Sequence, residues 1–228
     1  MPNWAIFLVI NTYNMPPTIA LFLHQPKCSV QSGNGIIKAL SPHYRFKMFT
    51  KHELEDDFFD DVDMVAIPGG IGDSDTFRYL MRVNGQRIRN FVASGGKYLG
   101  ICMGAYWADT DYLGLLDSVR VVQYIKRPNT DTKRPHAKNI YVNWLGQEMG
   151  MYFYDGCSYE GDSNKFETIA VYRNNDPMAI IQDNVGLIGC HPESEKHWYD
   201  SYTWMRKHYH GDTHGQLLLN FVNYLYRK

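Results

Sequence analysis

Apolar positions along this chain change character near residue 115. Before it, runs of strand length alternate with segments whose apolar residues recur every three or four positions, and after it short strand-like runs follow one another between Gly, Asn and Asp turns. Thr18–Leu23 reads as a strand, followed by a loop from Cys28 to Asn34 and a helix with Ile36, Ile37 and Leu40 on one face, stopped near Pro42. Tyr44–Phe49 is the next strand. Thr50-Lys51-His52-Glu53 has the spacing of a capping box opening a short helix, and Met64–Ile67 is a buried-type strand. Two helices are then expected, Asp75–Val83 and Gln86–Ser94, broken at Asn84-Gly85 and closed by Gly95-Gly96 before the strand Tyr98–Ile101. This strand–helix–strand order predicts right-handed crossovers and a parallel sheet.

The later regime predicts strands at Val119–Ile125, Asn139–Trp144, Met151–Tyr154, Thr168–Arg173 and Met178–Gln182, the last two joined by a turn at Asn174-Asn175-Asp176-Pro177. Val185–Cys190 is a final strand. A closing helix from about residue 212 carries Leu217, Leu218, Phe221, Val222 and Leu225 as its core stripe. At the other end, Trp4–Ile10 is a seven-residue apolar run with no Lys or Arg before it and no small-residue cleavage pattern after it. It is too short to span a membrane. We read residues 1–17 as a retained extra strand and a linker through Pro16-Pro17.

Composition narrows the function classes. With 228 residues the chain is long enough for one α/β domain, expected to cover 1–228, and 44% hydrophobic with 21% charged residues is an ordinary globular balance. The net charge of −1 and the lack of a basic block remove the usual electrostatic case for nucleic acid or an anionic membrane as partner. The four cysteines, Cys28, Cys102, Cys157 and Cys190, form no CxxC pair and no zinc-type spacing. Free thiols in a reducing, cytoplasmic setting are expected, with no metal and no cofactor.

Chemistry concentrates at Cys102. The extended run Tyr98–Ile101 enters a small-residue turn, Gly100-x-Cys102-x-Gly104, and leaves through Ala105 and Ala108, the pattern of a nucleophile elbow with Cys in place of Ser. Such a turn lifts the side chain clear of the backbone, and a following helix would aim free N–H groups and its positive dipole end at the sulfur. A buried, inert cysteine at a tight strand–helix turn is the plain alternative. Pro68-Gly69-Gly70 directly follows a parallel-type strand and could turn backbone N–H groups toward a ligand, as an oxyanion site requires. The last strand delivers His191-Pro192-Glu193. Proline holds the residue before it extended, so 191 and 193 face the same way, and one carboxylate can fix the tautomer of one imidazole acting as base.

Three further groups compete for attention. The acidic run from Glu55 to Asp63 is expected to be a solvated face rather than a cation site. Tyr154-Asp155-Gly156-Cys157-Ser158-Tyr159 mixes aromatic, glycine and hydroxyl groups and suits either a pocket wall, with Gly156 and Tyr159 as binding residues, or an ordinary turn. His208, His210, Asp212 and His214 lie close in sequence, but a loop there does not promise the facing geometry of a metal site.

Taken together, Ile67-Pro68-Gly69-Gly70, the segment Ile88–Gly96, Tyr98–Ala108 and Gly189-Cys190-His191-Pro192-Glu193 resemble the class I glutamine amidotransferase-like superfamily. Within it the chain is most similar to the family of the N-terminal domain of biotin–protein ligases, which also occurs as stand-alone proteins. The resemblance implies a flavodoxin-like αβα sandwich, a Cys102-His191-Glu193 triad, and an oxyanion hole from the N–H groups of Gly70 and Met103, beside Gly69. It implies a cysteine-dependent hydrolase or amidotransferase acting on a small-molecule amide or acyl substrate, with a partner protein or a second copy as a possible associate. Glutamine-hydrolysing members usually carry Gln four positions after the cysteine, where it helps hold substrate, and Tyr106 stands there in this chain. That substitution points away from free glutamine. The Gly-Arg-Gly signature of the ligase is absent, so biotinylation is not expected. A non-catalytic binding module on the same fold and a peptidase or chaperone-like relative are the competing readings.

Overall fold

The computed structural model describes residues 15–228. The apolar run Trp4–Ile10 lies outside the described residues. The described chain begins its regular structure with strand β1 (Thr18–Phe22), helix α1 (Val30–Leu40), β2 (Arg45–Phe49) and β3 (Met64–Ile67). Helices α2 (Ser74–Met81) and α3 (Gly85–Ala93) lead to β4 (Lys97–Ile101), and a single helical turn α4 (Met103–Tyr106) follows. Then come β5 (Val119–Gln123), β6 (Lys138–Trp144), β7 (Gln147–Phe153), β8 (Cys157–Gly161), β9 (Glu167–Tyr172), β10 (Pro177–Gln182) and β11 (Val185–Ile188). A short α5 (Lys196–Asp200) and the long α6 (Gly211–Tyr226) close the chain.

The central sheet has nine strands in the order β2-β1-β3-β4-β11-β10-β9-β6-β7. Strands β2, β1, β3, β4 and β11 run parallel, and β10, β9, β6 and β7 extend the sheet antiparallel. The α/β expectation of a mainly parallel sheet with antiparallel strands added after the elbow is met. Strand pleating sorts the core into two layers. Ile19 and Leu21 of β1 pack with Ile36 and Leu40 of α1 and with Leu218, Phe221, Val222 and Leu225 of α6. Ala20 and Phe22 face the other way and join Leu80 of α2, Ile88 and Val92 of α3 and Trp107. Both faces of the parallel strands are therefore covered, as an αβα sandwich requires. At β1 the chain first moves outward to β2 and then back to β3, so a crevice opens at the strand C-terminal ends where the direction reverses.

Three sequence expectations are corrected. No helix opens at Thr50. The buried Asn84 side chain donates to the carbonyls of Thr50 (3.2 Å) and His52 (2.7 Å) and accepts from the Leu54 N–H (3.3 Å), occupying the backbone groups that a helical turn would use. The segment Tyr154 to Tyr159 reads as turn or pocket wall, but from Cys157 it is part of strand β8, which pairs antiparallel with β5 in a separate two-stranded ribbon. The loop expected through Asn34 ends earlier, because Ser29 caps α1 by accepting from the Ser32 N–H at 3.2 Å. No helix of the described residues is long and apolar enough to cross a membrane.

Candidate active site

Strand β4 delivers Cys102 with φ 49° and ψ −103°. That positive φ, away from the usual left-handed basin, is a strained backbone for a non-glycine residue, of the kind that surroundings must over-determine. Here they do. The Cys102 N–H still donates to Ile188 of β11 (2.9 Å), while its carbonyl already accepts from the Tyr106 N–H (3.0 Å). A Cβ on Gly104 would overlap the Ile67 carbonyl, and one on Gly100 would stand 2.5 Å from the Gly104 oxygen. The Tyr98 hydroxyl, wholly buried, donates to that same oxygen at 2.7 Å. The small residues flanking Cys102 thus let the turn pack closely on β3 and β4, with the buried Cys102 left lining a cavity. The helix after it is a single turn, so the full helix dipole expected at the sulfur is not present.

His191 arrives just past β11, its N–H bonded to the Tyr152 carbonyl at 3.0 Å. Its Nδ1 lies 2.8 Å from Glu193 Oε1, with both side chains buried. Burial works against the imidazolium, but the Glu193 carboxylate and the neighbouring Cys102 outweigh it and raise the His191 pKa to about 10. The ring stands edge-on to Tyr152 (5.9 Å between centroids) and Trp198 (5.4 Å), which keep water from its sides. The Cys102 Sγ is also 3.6 Å from the Tyr154 carbonyl.

Opposite the ring, the Pro68-Gly69-Gly70 turn is held by two backbone bonds, Ser29 N–H to Gly69 O (2.8 Å) and Ile71 N–H to Lys27 O (2.9 Å). A Cβ on Gly69 would lie 2.8 Å from His191 Cε1, and one on Gly70 2.6 Å from Met103 Sδ. Glycine is needed at both for the loop to approach this closely. No acceptor among the described residues takes the N–H of Gly70 or of Met103. Two amide donors next to the cysteine are therefore available to an incoming oxygen.

These groups open onto a cavity of about 960 Å³ lined by Gly69, Gly70, Cys102, Met103, Tyr106 and His191. Tyr152, Tyr154, Trp198 and Tyr202 add an aromatic wall. Of the expected binding residues, Gly69 and Tyr106 reach the cavity. Gly156 and Tyr159 do not: Tyr159 is 2% exposed, packed in the core beneath the elbow, and Gly156 packs against Gly189 and Phe153. Tyr106 is half-buried, and its hydroxyl bridges to the carbonyls of Asp155 (3.1 Å) and Gly156 (3.3 Å), tying the elbow turn to the 154–156 loop.

Sequence reading missed two contributors. Ser32, wholly buried on α1, sits 2.6 Å from Glu193 Oε1. Asp109 accepts from Val121 N–H (2.6 Å) and pairs with Arg120 (3.0 Å), which also reaches Asp111 (2.6 Å), fixing β5 along one cavity wall. Neither lies in a motif, and neither has a local signal. The remaining thiols are fully buried: Cys28 is pushed up to about 12 by burial, and burial likewise raises Cys157 and Cys190. Among the described residues no group of three or more His, Cys, Asp or Glu side chains could hold a metal ion. His214, one of the sequence cluster near the C-terminus, points inward to the Gly150 carbonyl instead (2.9 Å).

The family model described as the N-terminal part of biotin-protein ligase matches residues 26–112, which hold the Gly69-Gly70 loop and the elbow but stop short of His191. The imidazole glycerol phosphate synthase subunit HisH of Herpetosiphon aurantiacus is 29% identical over 147 residues, 59% of this chain and 70% of HisH. Among solved structures, a glutamine amidotransferase of Thermotoga maritima superimposes with a TM-score of 0.68 at 11% identity, over 94% of this chain and all of that one. PurLQS from the same organism gives 0.63 at 14% identity, over 92% and 100%. A glutamine amidotransferase of Methylobacillus flagellatus gives 0.60 at 14%, over 93% of each. The fold of the described residues is that of these glutamine amidotransferase structures.

Proposed function

We propose that this chain is a member of the class I glutamine amidotransferase-like superfamily and a cysteine-dependent amide hydrolase or amidotransferase, with Cys102 as nucleophile, His191 as proton carrier and Glu193 as its orienting carboxylate. The observation that carries the reading is the strained elbow thiol beside an imidazole that is buried against a carboxylate, on the floor of a cavity. In the first half-reaction the thiolate attacks the substrate carbonyl carbon, and the developing oxyanion takes the free N–H groups of Gly70 and Met103. The imidazolium then gives its proton to the leaving nitrogen as the C–N bond breaks, leaving a thioester on Cys102. Water, or an amine acceptor, attacks that thioester while His191 takes up its proton, and the acyl product leaves as the C–S bond breaks, restoring the Cys102 thiolate and the His191 imidazolium.

Two features bear on the substrate. The cavity is several times the size of a glutamine side chain and has six Tyr and Trp side chains in its lining, and one of them, Tyr106, fills the position where a substrate-holding Gln is expected. Both favour an amide larger and flatter than free glutamine. A partner is also part of the proposal, since the HisH relative is named as a subunit of a synthase. The four free thiols fit a reducing cytoplasm.

One observation favours a second reading, a binding module that turns nothing over: the Cys102 thiol is within hydrogen-bond reach of the Tyr154 carbonyl, a contact that occupies it inside the fold. Ammonia or amine release separates the two. We expect the chain to hydrolyse amides from a panel of aromatic and extended substrates faster than free glutamine, with loss of turnover in Cys102→Ala. Efficient glutamine hydrolysis would overturn the substrate reading while supporting the triad, and no turnover of any amide would favour the binding module.

A further inference from the structure

We propose that Ser32 is a positioning residue for the Cys102 site, its hydroxyl joining the Glu193 carboxylate to the Gly69 amide so that imidazole and oxyanion loop are held in one arrangement. This rests on the reading of Cys102 as a nucleophile. Ser32 is wholly buried in the first turn of α1. Its Oγ lies 2.6 Å from Glu193 Oε1 and 2.9 Å from the Gly69 nitrogen. A serine has one O–H to give, and the amide can only donate, so the directions are forced: Gly69 N–H to Ser32, Ser32 O–H to Glu193.

The consequence is an asymmetric carboxylate. Oε1 receives both the Ser32 hydroxyl and His191 Nδ1, while the buried Oε2 has no partner among the described residues. With Oε2 ungripped, Ser32 is, among the described residues, the one side chain besides the imidazole that fixes which oxygen faces His191. The backbone reinforces the same junction. A Cβ on Gly35, one turn along α1, would overlap the Glu193 carbonyl, so the helix lies directly against the His-Pro-Glu turn. On the other side Ser32 steadies Gly69, which touches the imidazole edge and precedes the unpaired Gly70 N–H. One hydroxyl thus couples the two halves of the site, from a residue 161 positions distant from Glu193 in sequence.

The test is the rate of Cys102 alkylation by iodoacetamide at pH 6.5 and at pH 9.5, followed by mass spectrometry on the full chain. At pH 9.5 an unassisted thiol ionises by itself, so a loss confined to pH 6.5 reports support of the thiolate, whereas altered access changes both rates alike. Ser32→Ala is expected to lose about tenfold at pH 6.5 and less than about twofold at pH 9.5, a tenfold loss being one pH unit of lost support. Ser32→Thr, which keeps the hydroxyl, should recover most of that loss. Ser32→Gly removes the same hydroxyl and carries the test should the alanine variant not fold. In a Glu193→Gln background the deletion should add less than about twofold, because Ser32 acts through Glu193. An unchanged ratio of the two rates in Ser32→Ala, equal losses at both pH values, or full additivity with Glu193→Gln would overturn the proposal while leaving the nucleophile in place. A wild-type chain whose Cys102 reacts only like an unassisted thiol would instead remove the nucleophile reading itself, and Ser32 with it.

Discussion

His191 and His214 are both buried and both bonded to a neighbour at 2.8–2.9 Å, yet one is held protonated and the other neutral. His191 has the Glu193 carboxylate and the Cys102 sulfur beside it and is raised to about 10. His214, on α6 against β7, has only the Gly150 carbonyl at Nε2, while Nδ1 is buried without a partner, and burial lowers it to about 4. Burial alone makes a histidine neutral, and a second N–H would have nothing to bond at His214. A pre-placed anion reverses the outcome. The chemistry near Cys102 therefore depends on where one carboxylate is held, more than on the histidine or its depth.

The comparison can be broken in order of expected effect. Cys102→Ala should abolish amide turnover, a loss of at least about a thousandfold, since no other thiol is placed to replace it. Measurement of amine release checks this. Glu193→Gln should slow Cys102 alkylation at pH 6.5 by roughly 10- to 100-fold, because the imidazolium loses its counter-charge. Were that variant to react like the wild type, burial and not the carboxylate would set the charge of His191.

Stability against pH should show the two histidines working in opposite directions. The stabilisation from protonated His191 is complete below its unfolded value of 6.5 and is lost as pH rises through about 10. Neutral His214 acts in reverse: its contribution is present above 6.5 and is lost as pH falls toward about 4. That acid loss amounts to about 3 kcal/mol over the two and a half units involved. Urea denaturation from pH 4 to 10 is the measurement, and His214→Gln should flatten the acid limb alone. Smallest is Tyr106→Phe, which removes one hydroxyl bond to the 155–156 carbonyls and should cost about 1 kcal/mol in the same experiment. A large fall in pH 6.5 alkylation in that variant would place Tyr106 in the charge network and not merely in the wall.

What was legible in the sequence was local. Gly100-x-Cys102-x-Gly104 sets a backbone turn within five residues, and the His191-Pro192-Glu193 spacing brings a carboxylate to an imidazole two residues away. The alternation of Ile19 and Leu21 with Ala20 and Phe22 likewise carries the two-layer core within one strand. Ser32 had no such signal, because its partner is remote and a serine near a helix start looks like a cap. Strand β8 was obscured because Cys157-Ser158-Tyr159 follows directly on Tyr154-Asp155-Gly156, a mix of aromatic, glycine and hydroxyl groups that suits a pocket wall or a turn, and the pairing with β5 is remote in sequence. The Thr50 capping box failed because Asn84, 34 residues on, takes the Thr50 carbonyl. Tyr159 was placed in the cavity by its neighbours in sequence, while the pleat of β8 turns it into the core.

The central claim is that Cys102 is an activated nucleophile facing an amide site. It is tested most directly by exposing the native chain near neutral pH to two electrophilic amide analogues, one the size of glutamine and one aromatic and extended, and mapping the adduct by mass. The account predicts a single covalent adduct on Cys102, formed faster with the larger analogue and lost in Cys102→Ala. First labelling at Cys28 or Cys157 with Cys102 resistant, or no adduct from either analogue, would contradict it.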